Sequence, residues 1–453
     1  MRILYITQKF PPKELGGADL QTYRIANGIC RNGHEVYVIC AEDIANKSIL
    51  PGEIQEENYP FDDIPIWRLS YNWNTMPDPY WSIYGINQPI EEIILKHLQN
   101  IRPDIVHVTS CSMVTAAALT APISEKIPLV ITLTGKWGLC PIGTLLKRDG
   151  SICSGRQDGI TCLWCLFGET RTYNGLLALP ETARKQAINM AVRSLRFSKI
   201  SPSLNLIRCI EKRNSILADI LAKVDVILSP SHCHIEIFSR SGLIQEGRMI
   251  YSPHGRDLKS AEAGKNKTPS KNIRFAYTGQ IVPHKGVDTL ITAFKLLPPD
   301  LPAELHIFGD SNKDPACQHY KSIAGSRENI IWRGPYKNSE VREILATVDI
   351  VIVPSNCVEN DPGTIAEAFA AKTPVIGSDT CGVVEHIHHD VNGLIFKRGD
   401  TKELAHQLHR IIEEPDLLSR LRSNIKTPKN IDENVVELIQ IYKNLIQEYQ
   451  SQD

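Results

Sequence analysis

Apolar residues in this chain fall into short segments that alternate between two spacings. Arg2–Thr7 and Glu35–Cys40 are nearly continuous apolar runs, and between them Leu20, Tyr23, Ile25, Ala26 and Ile29 recur near helical period. The runs read as strands and Ala18–Arg31 as a helix that Gly33 stops. The helical period returns at Glu91–Asn100, Pro103 breaks it, and strands follow at Asp104–Val108 and Leu129–Leu133. A cysteine-rich stretch and then long helical segments interrupt the pattern over 139–223, before strands at Val224–Ser229 and Arg248–Tyr251.

Residues 256–271 are rich in Lys, Gly, Ser and Pro and read as a linker. The alternation then restarts. Arg274–Thr278, Leu305–Gly309, Ile330–Arg333, Ile350–Pro354 and Val375–Ser378 are expected strands, with helices at Gly286–Leu297 and Thr364–Ala371. Alternating strands and helices predict the α/β class, with parallel, doubly wound sheets covered on both faces. The expected organisation is a first Rossmann-like domain over 1–255, carrying the 139–223 insertion, and a second over 272–430. A terminal helix within 431–453 is expected to pack back on the first domain.

Composition narrows the function. Hydrophobic residues make up 42% and charged residues 22%, the balance of a soluble globular protein. Fifty basic and 51 acidic side chains give a net charge of -1, which excludes a general nucleic-acid binder. No run approaches the ~20 apolar residues of a membrane span, and the apolar start is too short for a signal peptide. The expectation is a cytoplasmic protein with at most peripheral contact at the inner face of a membrane. In a reducing compartment most of the 12 cysteines are expected to be free thiols.

The candidate chemistry lies at strand ends, where doubly wound sheets bind ligands. Pro11-Pro12-Lys13-Glu14-Leu15-Gly16-Gly17 follows the first strand, and its paired glycines allow close backbone approach before a helix N-terminus that favours anions. A plain strand-to-helix turn is the alternative reading. Gly279-Gln280-Ile281-Val282-Pro283-His284-Lys285-Gly286 places a lysine just before a helix start, suited to a diphosphate or simply solvated. Glu359-Asn360-Asp361-Pro362-Gly363-Thr364-Ile365-Ala366-Glu367 sets two glutamates eight positions apart around a helix N-terminus. Such carboxylates accept hydrogen bonds from sugar hydroxyls. The alternative for Glu367 is a capping box with Thr364.

Together these segments resemble the retaining glycosyltransferases of family 4, which have the GT-B fold of two Rossmann-like domains facing a central cleft. The resemblance covers nearly the whole chain. It includes the Pro-Pro-x-x-x-Gly-Gly loop, Gly33-His34-Glu35-Val36, Pro103-Asp104-Ile105-Val106-His107 and Lys285-Gly286-Val287-Asp288. It is strongest from Glu359 through Glu367-Ala368-Phe369-Ala370, Pro374-Val375-Ile376 and Gly382-Val383-Val384-Glu385.

By that resemblance, Glu359 and Lys285 are the expected catalytic residues of a hexosyltransferase-type enzyme. The donor site comprises Gly16, Gly17, Gly279, Gln280, Lys285, Glu359, Asp361, Gly363, Thr364 and Glu367. Lys285 meets the diphosphate, Glu359 the sugar and Glu367 the ribose. The resemblance implies a nucleotide-sugar donor, a glycan, lipid-linked or small-molecule acceptor, a place in polysaccharide biosynthesis, and chemistry without a catalytic metal. Two positions depart from the family. Gln280 stands where members carry Arg, which removes a bidentate phosphate cation. Thr134 stands where they often carry His, and nearby Lys136 offers a positive charge. A nucleotide-sugar epimerase of the same fold, or a weak nucleotide-sugar-binding homologue, are the alternatives.

Cys140, Cys153, Cys162 and Cys165 lie within 26 residues among five glycines and prolines, a loop poor in apolar anchors. Four thiolates suit a structural zinc or an iron–sulfur cluster. The other eight cysteines read as buried apolar residues. His386, His388 and His389 lack supporting ligand spacing for a metal.

Overall fold

A computed structural model describes residues 1–13, 16–44, 49–167, 180, 182, 183, 186, 190, 202–258, 266–309 and 315–451. The chain forms two compact units, one of Met1–Pro230, His234–Ser252 and Val435–Asp453, the other of Ser231–Cys233 and Pro253–Asn434.

The first unit holds β1 (Arg2–Thr7), β2 (Glu35–Asp43), β3 (Ile54–Phe61), β4 (Ile64–Tyr71), β5 (Ile105–Val108), β6 (Leu129–Thr132), β7 (Val226–Ser229) and β8 (Met249–Tyr251). Their order across the sheet is β3-β4-β2-β1-β5-β6-β7-β8. Every residue of β5 and β6 is buried, as expected of strands covered on both faces. One edge corrects the all-parallel expectation, because β3 pairs antiparallel with β4. Asp62 and Asp63 take φ of 48° and 62° between them, the positive values of a two-residue primed turn. β3 is Gln-Glu-Glu-Asn-rich and mostly exposed, so it offered no apolar pattern to read.

The terminal helix Ile431–Gln450 joins this core at its far end. The Tyr442 hydroxyl, fully buried, lies 2.7 Å from that of Tyr5 on β1, and Tyr449 donates to Asp225 at 3.0 Å.

The second unit holds β9 (Ile273–Thr278), β10 (Ala303–Phe308), β11 (Ile330–Gly334), β12 (Ile350–Val353), β13 (Val375–Ser378) and β14 (Gly393–Phe396), in the order β11-β10-β9-β12-β13-β14. All their pairings are parallel. β14 and the Thr401–Glu413 helix were not assigned from sequence, although Asp400 caps that helix through Lys402 and Glu403 amides.

Two expectations need correction here. The segment read as a linker packs on the second unit in its described parts. Arg256 pairs with Asp361, the Thr268 amide donates to Ala346, and Lys267 donates to Thr373. Two of the eight cysteines read as apolar fillers, Cys233 and Cys381, form a disulfide with Cα atoms 5.8 Å apart. They lie 148 residues apart, so only the fold brings them together. Within 139–223 the structure describes helices Gly159–Phe167 and Pro202–Ala222. Most of the helical expectation between 168 and 201 lies outside the described residues, as do Glu14, Leu15 and 259–265. Among the described residues, no helix is long and apolar enough to cross a membrane.

Candidate functional site

The strand order of the second sheet reverses between β9 and β12, which lie side by side at its centre. At such a switch point the loops leave in opposite directions and open a crevice at the strands' carboxyl ends. The two loops that leave here carry Lys285 and Glu359.

Lys285 ends a single 3-10 turn, Pro283–Lys285, after β9. Gly286 follows at φ 70°, and a Cβ there would meet the Pro354 carbonyl at 1.9 Å. Only glycine lets this turn press against the end of β12. The Lys285 ammonium thereby reaches Glu359 Oε1 at 2.7 Å, and Ser355 Oγ donates to the same oxygen at 2.5 Å. Burial pulls the Lys285 ammonium down, but the Glu359 carboxylate outweighs it, so its pKa is raised and the charge is held. Beneath this loop lies Gly382, at φ 87°, where a Cβ would meet the Glu359 carbonyl at 2.4 Å.

Next along the loop, Asp361 is paired with Arg256, Nη2 to Oδ2 at 2.7 Å, with both side chains buried. His386 Nε2 stands 3.2 Å from the other Asp361 oxygen. Burial alone would raise the Asp361 carboxyl, but Arg256 and His386 hold it well below the usual carboxylate range. Arg256 also donates to the Asp361 carbonyl at 3.1 Å. The pair masks a carboxylate beside the N-terminus of the Gly363–Ala370 helix, where the backbone amides favour an anion. Sequence reasoning missed Arg256, because no local pattern marks it.

Thr364 donates to the Thr278 carbonyl at 3.5 Å, joining that helix to the end of β9. No side chain caps the helix, so the capping-box alternative for Glu367 does not apply. Tyr336 lies within reach of Glu367: burial first, then the Glu367 charge, pushes its hydroxyl up to about 12. Gly279 is half-buried at the end of β9, and Gln280 beside it is exposed.

The remaining proposed positions belong to the first unit. Gly16 caps the Gly17–Arg31 helix, and its amide donates to the helix's own Asp19 at 3.3 Å. Thr134 donates to the Thr109 carbonyl at 2.6 Å. Lys136 is buried at 9% exposure and lies near His234.

Cys140, Cys153, Cys162 and Cys165 line one cavity of about 20 Å³. Burial and then the neighbouring cysteines push the Cys162 thiol far up, and burial also raises Cys153 and Cys165. The four surround the cavity without closing on a common point. Among the described residues, no group of three His, Cys, Asp or Glu stands ready-formed to hold a metal.

Comparison with known proteins bears on this geometry. The model for glycosyl transferases group 1 matches residues 259–427, and that for glycosyltransferase family 4 matches 15–151. An exopolysaccharide phosphotransferase of Streptomyces coelicolor is 32% identical over 141 residues, 31% of this chain and 15% of the relative. The alpha-D-kanosaminyltransferase of Streptomyces kanamyceticus is 24% identical over 149 residues, 33% of this chain and 38% of the relative. The chain thus spans less than half the length of these curated relatives. Anabaena HepE, solved with UDP and glucose, superposes with TM-score 0.61 at 17% identity, covering 97% of this chain and 99% of that one. The two matched models lie in the two units, and the paired parallel α/β sheets are those of GT-B structures. Residues 259–427 thus carry a glycosyl transferases group 1 domain, and residues 15–151 a glycosyltransferase family 4 domain.

Proposed function

We propose that this protein transfers a hexosyl group from a nucleotide-diphosphate-sugar to a glycan, lipid-linked or small-molecule acceptor with retention of anomeric configuration, in polysaccharide biosynthesis. The observation that carries the reading is the Lys285–Glu359 pair at 2.7 Å on the switch point of the second sheet. Lys285 is the cation for the diphosphate, and it orients Glu359 toward the sugar hydroxyls. The turn at Asp361, Gly363 and Thr364 offers amides to phosphate and sugar, and Glu367 takes the ribose. Gly279 and Gln280 border the phosphates. HepE was solved with UDP, which makes a uridine donor the first to try.

A second reading is a homologue that binds nucleotide-sugar with little turnover. Gln280 favours it, since the exposed amide supplies no charge and the charge of Lys285 is matched by Glu359. Incubation with a panel of nucleotide-sugars and candidate acceptors tests both. Release of free nucleotide with a glycosylated product is the expected result. Tight binding without release supports the second reading, and an altered sugar still bearing nucleotide would mean epimerisation instead. Unchanged activity in both Lys285→Ala and Glu359→Gln overturns the site.

A further inference from the structure

Away from the donor crevice, the first unit buries a positive charge that nothing in the proposed reaction uses. Arg213, on the Pro202–Ala222 helix, is fully buried at 0% exposure. Among the described residues, none of its three guanidinium nitrogens has a hydrogen-bond partner. Its plane lies 4.8 Å from the Trp137 ring. Burial pulls the guanidinium down, and the groups set against it are the sulfurs of Cys162, Cys140, Cys209 and Cys111. A buried cation without a counter-charge or hydrogen bonds is heavily penalised. Two of those cysteines belong to the four that line the small cavity.

The local fold converges the four thiols from three directions. Cys140 follows the Leu139 turn after β6, and Cys153 follows the short antiparallel bridge of Leu146 with Ile152. Cys162 and Cys165 share one face of the Gly159–Phe167 helix, three positions apart. That helix packs on the Arg213 helix through Ile160, Leu163, Leu206, Ile207 and Ile210. All four cysteines line this one cavity, together with Leu139, Leu145 and Gln157.

We infer that Cys140, Cys153, Cys162 and Cys165 close on one structural zinc ion, and that Arg213 is the counter-charge of the resulting site. Binding breaks four S–H bonds, forms four Zn–S bonds and releases four protons to solvent. Four thiolates around a dication carry a net charge of −2, which gives the buried guanidinium the anion that the described residues do not supply. Tetrahedral thiolate sites keep no open position, so the ion shapes the loop and takes no part in transfer. Through Arg213 and Trp137 it fixes the segment Thr134–Trp137. This inference stands apart from the Lys285–Glu359 pair, which lies in the other unit.

The test uses the full chain purified without a metal-binding tag. Elemental analysis is expected to give about one zinc and no iron. Four thiols should resist titration until a chelator is added. Cys162→Ser should lose the metal. Arg213→Met should release zinc to a chromogenic chelator ~10–100-fold faster, the usual effect of removing an outer partner of a metal site. Arg213→Lys, which keeps the charge, should lie between, and serves if the methionine variant does not fold. Nucleoside diphosphate binding should stay unchanged in all of these. Zinc below about 0.2 equivalents with four freely titrating thiols overturns the site, and iron with a visible absorbance band overturns the ion. Zinc release at the parent rate from both Arg213 variants overturns the counter-charge.

Discussion

Both units are doubly wound around a central reversal of strand order, but they line their switch points differently. In the second, two opposite-charge pairs meet there: Lys285 after β9 with Glu359 after β12, and Arg256, from the segment before β9, with Asp361. In the first, the reversal lies between β1 and β5, and hydroxyls mark it: Thr22 donates to Thr109 at 2.9 Å, and Thr134 donates to the Thr109 carbonyl. A doubly wound sheet thus fixes where a ligand binds, while the loop residues fix what kind. Charged pairs suit a diphosphate and its sugar. Hydroxyls suit neutral polyols.

The sharpest way to break this contrast is to unmask Asp361. Arg256→Met leaves a buried carboxylate without its cation, which typically costs ~3–5 kcal/mol. Urea denaturation should show that loss, and Arg256→Met combined with Asp361→Asn should recover much of it. A single variant as stable as the parent would mean the pair is not what holds the Glu359–Thr364 loop.

Lys285→Ala comes next. Losing a charge-assisted contact typically costs ~1.5–3 kcal/mol, and calorimetry with nucleoside diphosphate should show weakening of about that size. Glu359→Gln should instead lower turnover more than nucleotide affinity if, as proposed, its carboxylate meets sugar rather than phosphate.

Gln280→Arg should tighten nucleoside diphosphate binding by a comparable or smaller amount, since it adds a bidentate cation at an exposed position beside the site. Unchanged or looser binding in calorimetry would show that another cation already serves the phosphate.

A pH dependence is carried by both units. In the first, burial and then Lys136 lower the fully buried His234 to about 3. In the second, His254 is lowered to about 4 by burial, against the pull of Asp361 and with the push of Arg256 and Lys429. Each imidazole protonates more readily in the unfolded chain. Stability should therefore be full above the ordinary histidine range and fall as pH drops from ~6.5 toward 4. Asp361 behaves the same way lower down, its contribution fading as pH falls below ~4 toward its depressed folded value. His234→Gln and His254→Gln should each flatten the upper part of this slope in denaturant titrations. A slope unchanged in both would remove the histidines from the account.

Legibility follows range. Alternating apolar periods determined the class, the strands from β1 to β13 other than β3 and β4, and the restart of the pattern in the second unit, because period is a local property. Local motifs likewise singled out Lys285, Gly286, Glu359 and Glu367. The polar strand β3 escaped because an edge strand facing solvent need not be apolar. Arg256 escaped because its partner lies 105 residues away, inside a segment whose composition resembles a linker. Tertiary structure alone decided that Lys285 and Glu359, 74 residues apart, meet at one oxygen. It alone joined Cys233 to Cys381, and buried Arg213 beside thiols rather than carboxylates. The reason is physical: periodicity records which face of an element is buried, whereas a charge pair depends on strand order, and no local spacing encodes that order.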